Sequence, residues 1–373
     1  MTKLAKVLYG NVADVNDQQS SSGSAYPLYR ALKEKFDMVG SIDASLNSKQ
    51  KRYNDVINFH FNFKRWKESR HKSIKTLNLH SKVASTCAAE YEGEYDFYFQ
   101  QRALFDPREW CDKPYSIYTD CTHYNTLRFW PEWSPFSENE LAQWLEREKK
   151  IYDGAALLFP WSEFAAKSMI DDYGQDPAKV IVVGSGINFS PLPAAHGAYD
   201  NKTILFIGYD FERKGGPQLL KAFELVKKTI SDAQLIIAGP KQVNHSGTDN
   251  ITWLGTLNNR AEVSELYRKA SVFVLPSQYE PWGSVYLEAM AHGLPCIALD
   301  RAAAPEIITN GIDGALASCA SPEAIAEQII IMLSDKSRLN QCGNHARNKV
   351  MTHFTWESVV ERISTHILRS VNE

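Results

Sequence analysis

The sequence predicts an α/β protein made of two doubly wound domains, each built on a parallel sheet. Strand-like and helix-like segments alternate along the first half of the chain, and the alternation starts again in the second half. Between the halves, residues 188–200 are rich in Pro, Gly and Ala and have no periodicity, which indicates a linker. A chain of 373 residues is also long enough for two domains of ordinary size.

In the first domain, residues 1–187, apolar and β-branched runs predict the strands. They lie at residues 4–10, 38–42, 56–61, 95–99, 116–120, 155–160 and 179–184. Amphipathic helices are predicted at residues 24–35, 137–152 and 162–173. Ser137 and Glu140 resemble a capping box at the start of the second of these helices.

In the second domain, residues 201–354, the same signals recur. Strands are predicted at residues 203–208, 234–239, 251–255, 271–277 and 295–300. Helices are predicted at residues 217–229, 260–269, 322–334 and 337–350, and a last helix at residues 356–370 follows the domain.

Composition excludes several classes of protein. Hydrophobic residues make up 44% and charged residues 23%, which is typical of a globular protein, and the net charge of −3 argues against bulk nucleic-acid binding. No apolar run reaches about 18 residues, and the N-terminus has too short an apolar core for a signal peptide. The six cysteines lack C-x-x-C spacing, so we interpret them as reduced packing residues of a cytoplasmic protein.

Residues 279–295 carry the strongest functional signal. They read Y-E-P-W-G-S-V-Y-L-E-A-M-A-H-G-L-P. Glu280 follows a predicted strand, and Glu288 lies in the helix that comes next. Parallel sheets bind ligands at the carboxyl ends of their strands, and a helix N-terminus there suits a diphosphate.

This segment resembles the signature of family-4 retaining glycosyltransferases with the GT-B fold, E-x-F/W-G-x-x-x-x-E-A-M-A-x-G-x-P. The resemblance implies two Rossmann-like domains facing a cleft, with the acceptor side in residues 1–187 and the nucleotide-sugar donor side in residues 201–354. It also implies that a final helix within residues 355–373 crosses back to the first domain.

The resemblance further implies a hexosyltransferase reaction. A sugar would move from a UDP- or GDP-linked donor to a hydroxyl acceptor on a glycan, a lipid-linked molecule or a small molecule, with retention of configuration and without a cofactor. In the family, the first Glu contacts the donor sugar and the second binds the nucleotide ribose, which assigns these roles to Glu280 and Glu288. The donor-binding residues implied between them are Trp282, Gly283, Ser284 and Val285.

A basic loop follows the first strand of the second domain. Residues 208–216 read G-Y-D-F-E-R-K-G-G, where the family has G-R-x-x-x-x-K-G. Gly208 and Lys214 match that pattern, whereas Tyr209 replaces the usual Arg, so Arg213 is expected to supply the guanidinium. Arg and Lys suit phosphate oxygens as a planar fork and a point charge. We predict that Arg213 and Lys214 neutralise the leaving diphosphate.

Weaker positional matches complete the predicted site. Thr256 and Leu257 lie where the family holds the nucleotide base, and Gly23 lies where a glycine loop faces the diphosphate. Asp120 and His123 follow a strand of the first domain where the family often has a His or Asp that approaches the donor sugar, and the sequence leaves the choice between them open. The sequence has no D-x-D motif and no cluster of His and carboxylates, so we predict no metal site.

Residues 49–82 form a strongly basic segment interleaved with aromatic residues. The segment predicts weak peripheral association with an anionic membrane at its inner face, a phosphorylated acceptor, or an ordinary solvated face. Two alternatives to glycosyl transfer also stay open: another GT-B nucleotide-sugar enzyme of the epimerase type, and a non-catalytic nucleotide-sugar binding protein.

Overall fold

The computed structural model describes residues 4–17, 23–189, 193, 194, 199, 201–240, 249–257 and 259–372. The chain divides into two compact units. The N-terminal unit comprises Met1–Asn188 together with Trp356–Glu373, and the C-terminal unit comprises Phe189–Thr355. Most of the predicted linker at residues 188–200 lies outside the described residues.

The N-terminal unit contains a five-stranded parallel sheet of order β2-β1-β3-β4-β5. Its strands are β1 (Lys6–Asn11), β2 (Asp37–Asp43), β3 (Phe97–Gln101), β4 (Tyr115–Thr119) and β5 (Leu157–Pro160). Every residue of β3, β4 and β5 is buried, as continuous apolar runs in a parallel sheet require. The strand order reverses between β1 and β3, where a ligand site is expected.

The helices before the linker are α1 (Ala25–Lys33), α2 (Ser48–Ile57), α3 (Phe63–Lys72), α4 (Ile74–Ala88), α5 (His123–Phe129), α6 (Glu138–Gly154) and α7 (Glu163–Asp171). The predicted capping box of Ser137 and Glu140 opens α6. Residues 56–61, predicted as a strand, instead end α2 and form the loop before α3. Asn47 and Gln50 form a capping box that starts α2, and the apolar side chains beyond it stay exposed rather than entering a sheet. Residues 179–184 were also predicted as a strand but form only an isolated bridge, Leu158 with Val180.

The C-terminal unit contains a six-stranded parallel sheet of order β11-β10-β9-β6-β7-β8. Its strands are β6 (Thr203–Ile207), β7 (Gln234–Ala238), β8 (Ile251–Gly255), β9 (Val272–Val274), β10 (Cys296–Leu299) and β11 (Gly314–Ala317). Its helices are α8 (Gly216–Thr229), α9 (Arg260–Lys269), α10 (Ser284–Ala291), α11 (Ala304–Ile307), α12 (Pro322–Leu333) and α13 (Lys336–His353). The strand order reverses between β6 and β9.

The last helix, α14 (Trp356–Asn372), belongs to the N-terminal unit and packs against α1. Arg362 Nε donates a hydrogen bond to the carbonyl oxygen of Val183 at 2.9 Å. The Trp356 ring lies so close to Gly186 that a Cβ there would be 2.5 Å from it. No helix in the described part of the chain is long and apolar enough to cross a membrane.

The packing of α14 predicts that a cavity in this helix destabilises the protein. Ile363 is fully buried, so Ile363→Ala should lower the free energy of unfolding by about 2–5 kcal/mol. The control Leu368→Ala, at a position 39% exposed on the same helix, should cost much less. Urea unfolding followed by circular dichroism measures both, and equal small losses would contradict the packing of α14 described above.

Candidate functional site

The candidate site lies in the C-terminal unit, where the strand order reverses. β6 and β9 are neighbours in this sheet, paired through Ile204 and Val272. Their carboxyl ends therefore open at the same edge, and residues 208–215 follow β6 while residues 275–283 follow β9. This is the place where doubly wound sheets bind ligands.

Two glycines allow the loops at this edge to approach each other. Gly215 has a φ of +75°, and a Cβ there would lie 2.0 Å from the backbone oxygen of Pro276. A Cβ at Gly208 would lie 2.6 Å from Cδ of Lys214, so the lysine stem crosses directly over this residue. Side chains larger than hydrogen would push the two loops apart or displace Lys214.

The approach of the loops brings Glu280 next to both predicted cations. Lys214 Nζ donates to Glu280 Oε2 at 2.7 Å, and Arg213 Nη1 lies 3.6 Å from the same oxygen. The exposed fractions are 12% for the Lys214 side chain, 7% for Arg213 and 16% for Glu280. These charges interact in a partly desolvated environment, where ion pairs are stronger than in water.

The two cations differ in what else they contact. Arg213 Nε donates to Asp210 Oδ2 at 3.1 Å, and its Nη1 also donates to the carbonyl oxygen of Tyr279. The guanidinium therefore braces the loop that carries Glu280. Lys214 is slightly more exposed than Arg213, and Glu280 is its one ion-pair partner among the described residues.

The charge of Glu280 depends on this pairing. Burial by itself would raise the pKa of the Glu280 carboxyl, but the charges of Lys214 and Arg213 outweigh burial and hold that pKa below its ordinary value. Glu280 is therefore ionised at neutral pH and able to accept hydrogen bonds.

Glu288 lies on α10, one turn beyond the helix start. Gly283, with a φ of +90°, precedes this helix. Tyr267 of α9 donates a hydrogen bond from its hydroxyl to Glu288 Oε2 at 3.2 Å. Burial raises the pKa of the Glu288 carboxyl, although the charge of Arg260 acts in the opposite direction. Nothing in the sequence pattern singles out Tyr267, because its contact with Glu288 joins two helices.

The other predicted donor-binding residues of the segment 279–295 occupy mixed environments. Ser284 and Val285 form the first turn of α10 and are half-buried. The first backbone N–H groups of a helix have no partner within that helix, which makes this turn an anion site in principle. Trp282 is buried and packs its ring 5.8 Å from the ring of Phe354, so its side chain serves the core.

The residues predicted to hold the base follow β8. Thr256 is exposed, and its hydroxyl lies 3.4 Å from the carbonyl oxygen of Gly239. Leu257 is half-buried. Gly239 follows β7 with a φ of +110°, so the loops after β7 and β8 meet at the same edge as the charged cluster.

In the N-terminal unit, Gly23 and Asp120 both lie at strand or helix ends. Gly23 has a φ of +77° and comes just before α1, and Ser24 accepts a hydrogen bond from Gln101 Nε2 at 2.9 Å. Residues 18–22, directly before Gly23, lie outside the described residues. Asp120 directly follows β4 and is half-buried.

His123 has the environment of a packing residue. It is only 5% exposed, its Nε2 lies 2.7 Å from Ser134 Oγ, and its ring lies 5.7 Å from the ring of Trp144 with the two planes tilted by 47°. Its backbone N–H donates to Glu148 Oε2 at 3.1 Å. Burial lowers the pKa of the His123 imidazole to about 3. These contacts argue against the predicted sugar-facing role of His123 and leave Asp120 as the better candidate.

The low pKa of His123 predicts a stability effect rather than a catalytic one. The folded protein keeps this imidazole neutral, whereas the unfolded chain binds a proton as the pH falls below about 6.5. His123 therefore contributes stability that is complete above that pH and is lost as the pH falls towards 3, by up to about 1.4 kcal/mol per pH unit.

The variant His123→Gln should flatten the fall in unfolding free energy between pH 6.5 and 4, a window that follows from the lowered pKa. His345→Gln, which replaces an exposed histidine, is the control. Urea unfolding at several pH values measures the slope. An unchanged slope in His123→Gln would show that the imidazole titrates normally in the folded protein.

Comparison with known proteins finds a sequence match for most of the C-terminal unit. Residues 190–349 match the sequence profile described as "Glycosyl transferases group 1". The putative glycosyltransferase YtcC of Bacillus subtilis is 26% identical over 261 residues, which cover 62% of this chain and 64% of that protein. The chain thus spans less than two thirds of this relative's length.

Solved structures match nearly the whole chain. Sucrose-phosphate synthase from Thermosynechococcus elongatus aligns with a TM-score of 0.72 at 17% identity, covering 98% of both chains. HepE from Anabaena, solved with UDP and glucose, aligns with a TM-score of 0.68 at 14% identity, covering 98% of this chain and 100% of that one. These likenesses confirm the predicted GT-B fold of two Rossmann-like domains. Residues 190–349 therefore resemble the group 1 glycosyltransferases in sequence, and the chain has the GT-B fold.

Proposed function

We propose that this protein transfers a sugar from a nucleotide diphosphate sugar to a hydroxyl acceptor, with retention of configuration and without a metal ion. The observation that carries the proposal is the cluster of Lys214, Arg213 and Glu280 at the edge where β6 and β9 end. A group 1 glycosyltransferase domain with this cluster has a cation for a phosphate and a carboxylate for a sugar in one place. HepE, a protein of the same fold, is known with UDP and glucose, which supports a nucleotide-sugar donor.

Lys214 would act on the leaving group. As the bond between the sugar C1 and the diphosphate oxygen breaks, negative charge builds on the diphosphate. A fixed ammonium next to that charge stabilises it more in the transition state than in the bound donor. The first turn of α10, at Ser284 and Val285, would add backbone N–H groups and the positive end of the helix.

The carboxylates would orient the donor. Lys214 and Arg213 contact Glu280 through Oε2, so Oε1 is the oxygen that would accept a sugar hydroxyl. Glu288 would accept the ribose hydroxyls, with Tyr267 holding its Oε2 in place. Gly208, Gly23, Thr256 and Leu257 are proposed to line the phosphate and base positions, and Asp120 to lie towards the sugar.

The acceptor hydroxyl would then attack C1 on the face that the diphosphate leaves. The new bond joins C1 to the acceptor oxygen, and a departing phosphate oxygen takes the acceptor proton. This route needs no separate protein base, which fits the proposal that His123 is structural. Because Lys214 and the first turn of α10 would supply positive charge to the diphosphate, the proposed mechanism requires no divalent ion.

The direct test combines donor binding with product analysis. We expect one nucleoside diphosphate among UDP, GDP and ADP to raise the melting temperature, because only a ligand of the native state stabilises it. With the matching nucleotide sugar, a panel of hydroxyl acceptors and EDTA, proton NMR should show a glycoside with the donor's anomeric configuration. An inverted product, or activity lost in EDTA and restored by Mg²⁺, would contradict the proposal. Epimerised donor would favour the epimerase alternative, and binding without turnover a non-catalytic protein.

Glu288→Ala should weaken binding of the free nucleoside diphosphate by roughly 1.5–3 kcal/mol, about 10- to 100-fold, because the ribose loses a charged acceptor. Tyr267→Phe should weaken it less, since the carboxylate stays. Glu262→Ala, an exposed carboxylate on α9, is the matched control. Isothermal calorimetry measures all three, and unchanged affinity in Glu288→Ala would remove Glu288 from the ribose site.

Lys214→Met should lower kcat by about 10²–10³-fold while changing donor affinity less, because the ammonium acts mainly on charge that develops in the transition state. Lys221→Met, an exposed lysine on α8, is the control. Steady-state kinetics separates the two constants. A Lys214→Met enzyme altered only in KM would show that the lysine merely binds the donor.

A further inference from the structure

Four apolar side chains at the junction of α2 and α3 are exposed and are here called the aromatic tip: Val56 in the last turn of α2, Phe59 and Phe61 in the loop, and Phe63 at the start of α3. Their exposed fractions are 73%, 59%, 95% and 69%. Among the described residues, no other phenylalanine is exposed. Single exposed apolar residues are ordinary, but a contiguous group of this kind marks an interaction surface.

The aromatic tip is an ordered cluster rather than a set of separate side chains. The rings of Phe59 and Phe61 lie 5.4 Å apart, and the rings of Phe59 and Phe63 each lie 5.9 Å from Trp66. Trp66 Nε1 donates to the carbonyl oxygen of Asp55 at 2.9 Å, which ties the cluster to α2. The tip is therefore preformed, so binding would order few side chains.

The tip lies within the most basic part of the chain. Residues 49–82 contain ten Lys and Arg against two acidic residues, a net charge of +8, whereas the whole chain carries −3 and the remainder therefore −11. Arg65 pairs with Glu140 and Arg70 with Asp55. Five further cations are exposed and have no ion pair with any described residue: Lys49, Lys51, Arg52, Lys64 and Lys67.

Cations and apolar side chains share the same helix faces. On α2, Lys49, Arg52 and Val56 have the spacing i, i+3 and i+7, which places them on one side of the helix. On α3, Phe63 and Lys67 are i, i+4 neighbours. Lysine stems next to exposed rings are the arrangement found where a protein meets both a charged headgroup and an apolar chain.

We propose that the aromatic tip inserts into the headgroup region of an anionic lipid bilayer, while the surrounding lysines contact lipid phosphates. Charge complementarity favours this occupant, because the positive segment is attracted to the bilayer while the negative remainder of the chain is repelled from it. A bilayer also offers an apolar phase that the exposed rings can enter, whereas a soluble polyanion offers none. The proposal is independent of glycosyl transfer, since it concerns residues outside the donor site.

The test is co-sedimentation of the full chain, without donor, with vesicles of phosphatidylcholine alone or of equal parts phosphatidylcholine and phosphatidylglycerol. We expect binding to the anionic vesicles at about 0.01 M salt, where the Debye length is about 30 Å, and weaker binding at about 0.1 M, where it is about 10 Å. Pure phosphatidylcholine should bind little.

Two double variants separate charge from insertion. Lys64→Glu with Lys67→Glu should weaken binding at least about 30-fold, since each lost cation removes a roughly fivefold factor and each new carboxylate is in addition repelled by the anionic surface. Phe61→Ser with Phe63→Ser should weaken binding at least about tenfold, because two rings no longer leave water. All four positions are exposed, so neither variant should alter the fold.

Matched controls make the same chemical changes elsewhere. Lys221→Glu with Lys228→Glu alters the net charge equally, and Ile331→Ser with Leu368→Ser removes apolar side chains that are each 39% exposed. Both controls should bind like the wild type. Absence of binding at low salt, or a phenylalanine variant that binds normally, would overturn the proposal. Self-association that the phenylalanine variant abolishes, without vesicle binding, would overturn it in favour of a second copy. None of these outcomes bears on donor binding.

Discussion

The ion pair between Lys214 and Glu280 depends on the order of strands in the C-terminal sheet. These residues are 66 positions apart, and they meet because β9 is placed beside β6 after β7 and β8 have been added on the other side. This reversal leaves two loops at the same sheet edge with no helix between them. Their close approach requires a glycine at position 215, because a Cβ there would collide with the backbone oxygen of Pro276.

The charges of this cluster nearly balance before any ligand enters. Asp210 and Glu280 pair with Arg213 and Lys214, so two negative and two positive groups lie together. Glu280 and both cations are largely buried, whereas the Asp210 side chain is 42% exposed. Burying an unpaired charge is costly, and the pairing explains how both cations stay inside the fold. Arg213 contacts Asp210, the carbonyl oxygen of Tyr279 and Glu280, so its guanidinium braces the loops. Lys214 has fewer protein contacts, and we therefore propose that it is the cation that interacts with the ligand.

The N-terminal unit buries most of its apolar side chains but leaves one group of them exposed. Its sheet buries every residue of three strands, yet the segment between α2 and α3 leaves a group of phenylalanines in water. Those rings contribute nothing to the core, although they contact one another and Trp66. Apolar side chains that a fold keeps ordered and exposed are more readily explained by a surface they bind than by stability.

The sequence by itself determined the alternation of strands and helices, and with it the two parallel sheets, because buried strands and amphipathic helices have local periodicities. It also located the loop of Glu280 and the helix of Glu288, because both follow from short-range sequence pattern. The strand predicted at residues 56–61 was wrong because the prediction used local pattern alone. Apolar residues indicate a strand only if a sheet buries them, and burial is not a local property.

Only the tertiary structure decided which side chains meet. The contact of Tyr267 with Glu288 joins two helices, and the bracing of Arg213 by the carbonyl of Tyr279 joins two loops, so neither leaves a trace in residue spacing. His123 and Asp120 are equivalent candidates in the sequence. The fold separates them, because α5 and α6 enclose the imidazole against Trp144 while Asp120 stays half-buried at the strand end. Local pattern thus specifies the elements and the loops between them, and long-range packing decides what each functional side chain can reach.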